Sequence, residues 1–211
     1  MIVFNNVCKD RIKNFTLFVK AGELVCINEE DKGILNTLFK LLNGQAEPDK
    51  GVIRYLDKGV YSRRPPRNFI GFVHKENLLL PERTLEENLA YIMQVRDLEM
   101  RNHQVMIRRI LEIVDLQHCS HKKAGELLKH QLVRANIAQG ILNYPPVLVL
   151  EDPCSELDEL NAQGIIRLIK RLNQFSMTII LLNSSRKILL GKDARQIRMK
   201  EIYPERKDYY G

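Results

Sequence analysis

No apolar run in this sequence approaches the roughly eighteen residues that a membrane-spanning helix needs. The first residues lack a secretory pattern. Cysteine is sparse, and Cys8, Cys26, Cys119 and Cys154 are scattered without paired spacing. That distribution predicts a reduced, cytosolic compartment and no disulfide framework. There are no internal repeats, low-complexity tracts or obvious linkers, so a chain of 211 residues reads as one domain with a substantial core. What is present fits a globular protein: 45% hydrophobic and 28% charged residues exclude the disordered class. The net charge of +7 allows an acidic partner, either nucleic acid or the anionic inner face of a membrane. A solvated basic surface would give the same balance.

Apolar spacing alternates between strand and helix periods. "MIVFNNV" and "FTLFVKAGELVCI" read as strands, the latter broken by a turn at Ala21-Gly22. A helix over Gly33–Asn43 follows, then the turn "EPDKG", the strand "VIRYL" and the short strand "NFIGFV". Residues 84–114 give two helical segments, with apolar positions in "QVMIRRILEIV" at i, i+3, i+4 and i+7. A third helix covers about 125–142 and leads into "VLVL", a continuous apolar run of the kind a buried parallel strand shows. The helix "ELNAQGIIRLIKRLNQ" and the strands "TIILL" and "QIRMKEI" complete the series, and "SRRPPR" (62–67) is a surface loop. Buried strands joined by helices predict an α/β fold with a largely parallel sheet.

"VCINEEDKGILNTLFKLLNG", residues 25–44, has the outline of a phosphate-binding strand–loop–helix. The loop chemistry departs from that outline. A phosphate loop needs glycines, so that consecutive backbone N–H groups can converge. It also needs a lysine for the phosphates and a Ser/Thr hydroxyl for Mg²⁺. Here Glu29, Glu30 and Asp31 fill the loop beside Lys32, and no G-x-x-x-x-G-K-[ST] occurs anywhere in the chain. At about 6 Å and an effective dielectric of about 20, each facing carboxylate would cost roughly 2–3 kcal/mol per phosphate charge.

Over essentially its whole length the chain resembles the ATP-binding-cassette (ABC) ATPases, and among them the FtsE/LolD/MacB-type cassettes. "MIVFNNVCKD", "LNTLFKLLNG", "NFIGFVHKENLLLPERTLEENLAY" and "NYPPVLVLEDPCSELD" carry the resemblance. It implies a P-loop NTPase-like α/β fold over 1–211, with a mainly parallel core sheet, an antiparallel β subdomain and a helical subdomain at about 76–135.

Set beside the family pattern, the site residues differ at each station. Leu35 stands at the lysine position and Asn36 at the magnesium-ligand position, while Thr37 and Gly33 survive. Asp10 and Arg11 stand where an adenine-stacking aromatic is expected. Lys75 replaces the Q-loop glutamine and Ser184 the switch histidine. The signature segment reads Leu127-Leu128-Lys129-His130-Gln131. The family's Asp–Glu pair after the strand is transposed to Glu151–Asp152. The shift is on the order of 1.5 Å, and about 1 Å of misplacement can cost about a hundredfold in rate. The D-loop pattern survives as Ser155-Glu156-Leu157-Asp158.

The expectation is an FtsE-like cassette that does not hydrolyse ATP. It would be a cytoplasmic docking or regulatory subunit, peripheral at the inner face of the membrane. The resemblance implies an FtsX-like or other permease-type partner, which would meet the apolar stretch Leu78, Leu79 and Leu80; core packing of "LLLP" (78–81) is the equal alternative. It also implies pairing as a homodimer or with another cassette subunit through Lys129, His130, Gln131, Ser155 and Asp158. ATP and Mg²⁺ are not expected to bind, unless weakly. A weak ATPase using Glu151 and Asp152 is one alternative. A basic nucleic-acid module is another, but no aromatic platform interleaves the basic residues. For Glu29–Asp31 the competing reading is a solvated loop; for Glu151 and Asp152, capping or network carboxylates. Lys122, Lys123 and Lys129 read as a solvated basic face, with an acidic partner or a phosphate anchor as the alternative. "HCSH" (118–121) matches no common zinc spacing, so no metal is expected.

Overall fold

The computed structural model describes residues 1–96, 102–184 and 190–199. In chain order the elements are β1 (Ile2–Lys9), β2 (Ile12–Val19), β3 (Leu24–Asn28), α1 (Lys32–Leu42), β4 (Lys50–Asp57), β5 (Val60–Ser62), β6 (Ile70–Val73), α2 (Leu85–Val95), α3 (His103–Ile113), α4 (Lys129–Ile141), β7 (Val147–Glu151), α5 (Glu159–Gln174), β8 (Thr178–Asn183) and β9 (Arg195–Arg198). The strands form two sheets, antiparallel in the order β2-β1-β4-β5 and parallel in the order β6-β7-β8-β3-β9.

The side-chain period of two along a strand divides the core. On β7 and β8, Leu148, Leu150, Ile179 and Leu181 pack into a cluster built with α2 to α5. Val147, Val149, Ile180 and Leu182 pack the other way, with α1 and the antiparallel sheet. Both faces are covered, which is why "VLVL" and "TIILL" are apolar without alternation.

Backbone approach between α4 and β6 depends on two glycines. A Cβ on Gly71 would lie 2.0 Å from the Gly140 carbonyl oxygen, and one on Gly140 would lie 2.9 Å from Val73. Any larger residue at Gly71 would push the helix off the sheet.

Most element boundaries fall within a few residues of the sequence expectation. The helix expected over about 125–142 is shorter. A 3₁₀ turn occupies Ala124–Glu126 and α4 starts at Lys129, because the Gln131 side chain turns back to accept the Leu128 N–H at 2.9 Å. The strand β5 is an addition that periodicity over three residues does not reveal. Of "QIRMKEI", β9 includes Gln196–Arg198, and the part from residue 200 onward lies outside the described residues. Among the described residues no helix is long and apolar enough to cross a membrane.

Candidate functional site

Loops leaving the carboxyl ends of β3, β7 and β8 converge, as ligand sites do in parallel sheets. The loop after β3 is ordered by its own carboxylates. Glu29 donates its N–H to the Asn183 carbonyl at 3.0 Å, and its side chain accepts the Asp31 N–H at 2.9 Å. Asp31 is the N-cap of α1, and its Oδ1 accepts the Gly33 N–H at 2.9 Å. Its other oxygen takes an ion-paired hydrogen bond from Arg11, in the β1–β2 turn. The neighbouring Asp10 accepts the Thr37 hydroxyl at 3.1 Å. The turn thus leans over the start of α1, and a Cβ on Gly33 would come within 2.6 Å of the Arg11 guanidinium. Leu35 points into the core at 2% exposure, while Asn36 and Lys32 are exposed and Glu30 lies at the outer edge of the turn. The loop is therefore a hydrogen-bonded cap that stays partly solvated, with Glu30 exposed and the Asp31 side chain 30% exposed.

At the end of β7 the two carboxylates diverge. Asp152 is 4% exposed and held at φ +46°, its N–H bonded to the Leu182 carbonyl at 2.8 Å. Its Oδ1 accepts the Ser184 N–H at 3.1 Å and its Oδ2 the Ser184 hydroxyl at 2.5 Å. Ser155 donates its hydroxyl to the Asp152 carbonyl at 3.1 Å. Glu151 is only half-buried and receives the Lys75 N–H at a long 3.4 Å. Beside them the Asn183 amide donates to Asn28 Oδ1 at 2.7 Å and ties the ends of β3 and β8.

A cleft of about 280 Å³ opens between α1, the segment after β6, and Glu151. Lys32, Lys40 and Lys75 line it with Glu76 and Glu151, over the Phe39 ring. That ring stands edge-on to His74 at 4.8 Å.

The expected interface residues divide. Leu78 and Leu80 are exposed at 57% and 39%, but Leu79 is 5% exposed and belongs to the core, which corrects its placement on the surface. Gln131 likewise turns inward, capping α4 and donating to the Cys119 sulfur at 3.5 Å. Lys129 lies 3.8 Å from Glu156, linking the start of α4 to the loop after β7. Asp158 caps α5 by accepting the Asn161 N–H at 2.9 Å, a bond that holds its carboxyl below the ordinary range. His130 and His118 line a second cleft of about 270 Å³ with Arg134 and Arg167. His121 faces elsewhere, 3.8 Å from Glu86.

Sequence reasoning missed the Arg11–Asp31 pair and the Ser184–Asp152 pair, whose partners are 20 and 32 residues apart. No local spacing signals either one. Only the neighbouring of β7 and β8 brings the second pair together.

Comparison with known proteins bears on the whole architecture. FtsE, the cell division ATP-binding protein of Streptococcus pneumoniae, is 26% identical over 208 residues, covering 95% of this chain and 90% of its own. The methionine import ATP-binding protein MetN of Protochlamydia amoebophila is 28% identical over 177 residues, covering 81% of this chain. This chain spans about half of MetN's length, 52%. The fold matches CbiO1 of Clostridium perfringens, part of an ABC transporter complex, with a TM-score of 0.79 at 21% identity, covering 97% and 90% of the two chains. It also matches the cassette MJ0796, solved as a dimer, with a TM-score of 0.73 at 22% identity, covering 94% and 95%. The ABC transporter family model matches residues 36–155, more than half of the sequence, and the chain belongs to the ABC transporter family.

Proposed function

We propose that this chain is an ABC cassette without ATPase activity, FtsE-like, serving as a docking or regulatory subunit for a permease-type membrane protein. One observation carries the reading. The α1 N-terminus, the natural seat for a phosphate, is already filled by the carboxylate of Asp31, which carries its own counterion in Arg11.

A Mg²⁺-bound triphosphate needs free loop N–H groups, an ammonium and a hydroxyl ligand. Here the Gly33 N–H is taken, Leu35 is buried, and Asn36 has no hydroxyl. These residues do not fit the group. Asp152, the second carboxylate of the transposed pair, has both oxygens bonded to Ser184. In place of hydrolysis the scaffold offers surface. Leu78 and Leu80 are exposed where the resemblance implies contact with a membrane subunit, which supports a role at the inner face of the membrane with an FtsX-like or related permease.

Phosphate release from Mg-ATP, followed with the purified chain and an Asp152→Asn comparator, tests this reading. The expected result is no turnover above buffer for either protein. Turnover in the wild type that Asp152→Asn abolishes would establish the second reading, a weak ATPase. That reading has one observation in its favour: Lys32, Lys40 and Lys75 share a cleft with Glu151 and Asp152.

A further inference from the structure

We infer that the outer face of the antiparallel sheet is a binding platform for single-stranded nucleic acid, separate from the loops that gather at the carboxyl ends of β3, β7 and β8.

Strand pairing assembles the platform. Ile2, Phe4, Phe15, Leu17, Ile53 and Tyr55 form the inward rows of β1, β2 and β4 and are buried in the core. The period of two then turns their neighbours outward. Val3 stands opposite Phe18 on one side and Arg54 on the other, which puts the three in one row across β2, β1 and β4. Leu56, two residues on from Arg54, faces Tyr61 on the edge strand β5. The outer face of an antiparallel sheet that meets only water is polar. Here Val3, Val52 and Leu56 are half-buried yet pack into neither core cluster. Phe18 and Tyr61 rise beside them at 40% and 60% exposure. The strands that carry the two rings are three spacings apart, about 14 Å, so each ring can take its own base.

The charge around these rings is of one sign. Lys13, Lys20, Arg54, Lys58 and Arg63 lie on these strands or directly beside them, and none meets a carboxylate among the described residues. Nearby cations differ: Lys9 is neutralised by Asp49 and Arg64 by Glu47. No carboxylate stands in the rows of Val3, Arg54 and Leu56. The net charge of +7 adds long-range attraction for a polyanion.

Exposed rings with free cations between them meet both needs of sequence-tolerant single-strand binding, because bases stack on the rings while phosphates meet the cations. Four-stranded antiparallel sheets with an open aromatic face are a recurring seat for unpaired bases. A duplex keeps its bases stacked inside, out of reach of the rings. A bilayer is a poorer match, because interfacial binding wants one continuous apolar face, and here a guanidinium stands in the middle. Phe18, Arg54 and Tyr61 are scattered in the sequence, and only strand pairing interleaves them.

Fluorescence anisotropy of a labelled oligothymidine of about twelve nucleotides, a length within the range of single-strand sites, tests this with the full chain at low salt. Micromolar affinity is expected, with log K falling by about 0.7 per phosphate neutralised as log salt rises. Tyr61→Ala, with an unchanged thermal melt, should weaken binding about fivefold or more and leave the salt slope unchanged. Tyr61→Phe should bind as wild type. Arg54→Gln/Arg63→Gln should flatten the slope by about 1.4, two contacts at about 0.7 each. Lys122→Gln/Lys123→Gln, beside the start of α2, and millimolar Mg-ATP should change nothing. A duplex of the same length should bind more weakly. No anisotropy change at tens of micromolar chain would overturn the inference, as would binding indifferent to Tyr61→Ala or tighter binding to the duplex. Capture by phosphatidylserine vesicles without binding to the oligomer would overturn it too and make the face a membrane contact. These outcomes leave the proposed function untouched. Displacement of the oligomer by Mg-ATP would count against both.

Discussion

Ser184 gives both of its donors to one carboxylate. Its backbone N–H reaches Asp152 Oδ1 at 3.1 Å and its hydroxyl reaches Oδ2 at 2.5 Å. At 4% exposure, Asp152 has little water to turn to. Leaving a buried acceptor short of a partner costs about 1–3 kcal/mol. Ser184→Ala is therefore expected to lower the urea-unfolding free energy by about that amount while leaving ATP turnover at background. An unchanged midpoint would show that the pair contributes nothing to the fold.

Two effects meet at Asp31, and their sizes differ. Loss of an N-cap costs about 0.5–2 kcal/mol, whereas an exposed ion pair contributes about 0–1 kcal/mol. Arg11 is 69% exposed in its side chain. Asp31→Ala should therefore destabilise the chain more than Arg11→Ala, and Asp31→Asn, which keeps the acceptor, should fall between wild type and Asp31→Ala. Thermal melts of the three variants check the order.

That hierarchy shows where the sequence was legible. The parallel strands could be read because burial on both faces leaves an apolar signature in "VLVL" and "TIILL". The helix "ELNAQGIIRLIKRLNQ" could be read because its period is regular, and α5 spans the same sixteen residues, Glu159–Gln174. Lys32, Lys75 and Glu151 line one cleft, although they are far apart in the sequence. Leu79 was misplaced because "LLLP" has no period to separate the inward residue from its two neighbours. The roles of Arg11 and Ser184 were invisible, since each is defined by a partner that only the tertiary fold supplies.

Leu79 gives a sharp contrast with its neighbours. Leu79→Ala removes a core side chain at 5% exposure and should cost about 2–5 kcal/mol. Leu78→Asp and Leu80→Asp act on exposed side chains and should stay within about 0.5 kcal/mol of wild type. Urea unfolding separates the two classes. Equal losses at all three positions would mean that the segment packs as one block.

Acid should weaken the helix starts. The Thr84 N–H holds Glu87 below its ordinary 4.5, and the Asn161 N–H holds Asp158 below its ordinary 3.8. A carboxyl whose folded value lies below its unfolded value stabilises the fold above the unfolded value. That stabilisation is lost as pH falls through the folded value. The urea midpoint should therefore decline as pH drops below about 4.5. It should decline less steeply in Glu87→Gln/Asp158→Asn, and parallel curves for the two proteins would contradict these assignments.

The central claim is that the seat of the phosphates is filled from within by Asp31 and Arg11. Isothermal titration of the chain with Mg-ATP, carried from micromolar to millimolar nucleotide, addresses it most directly. The account predicts no saturable heat across that range. A saturable isotherm, with a dissociation constant in the micromolar range, would contradict it.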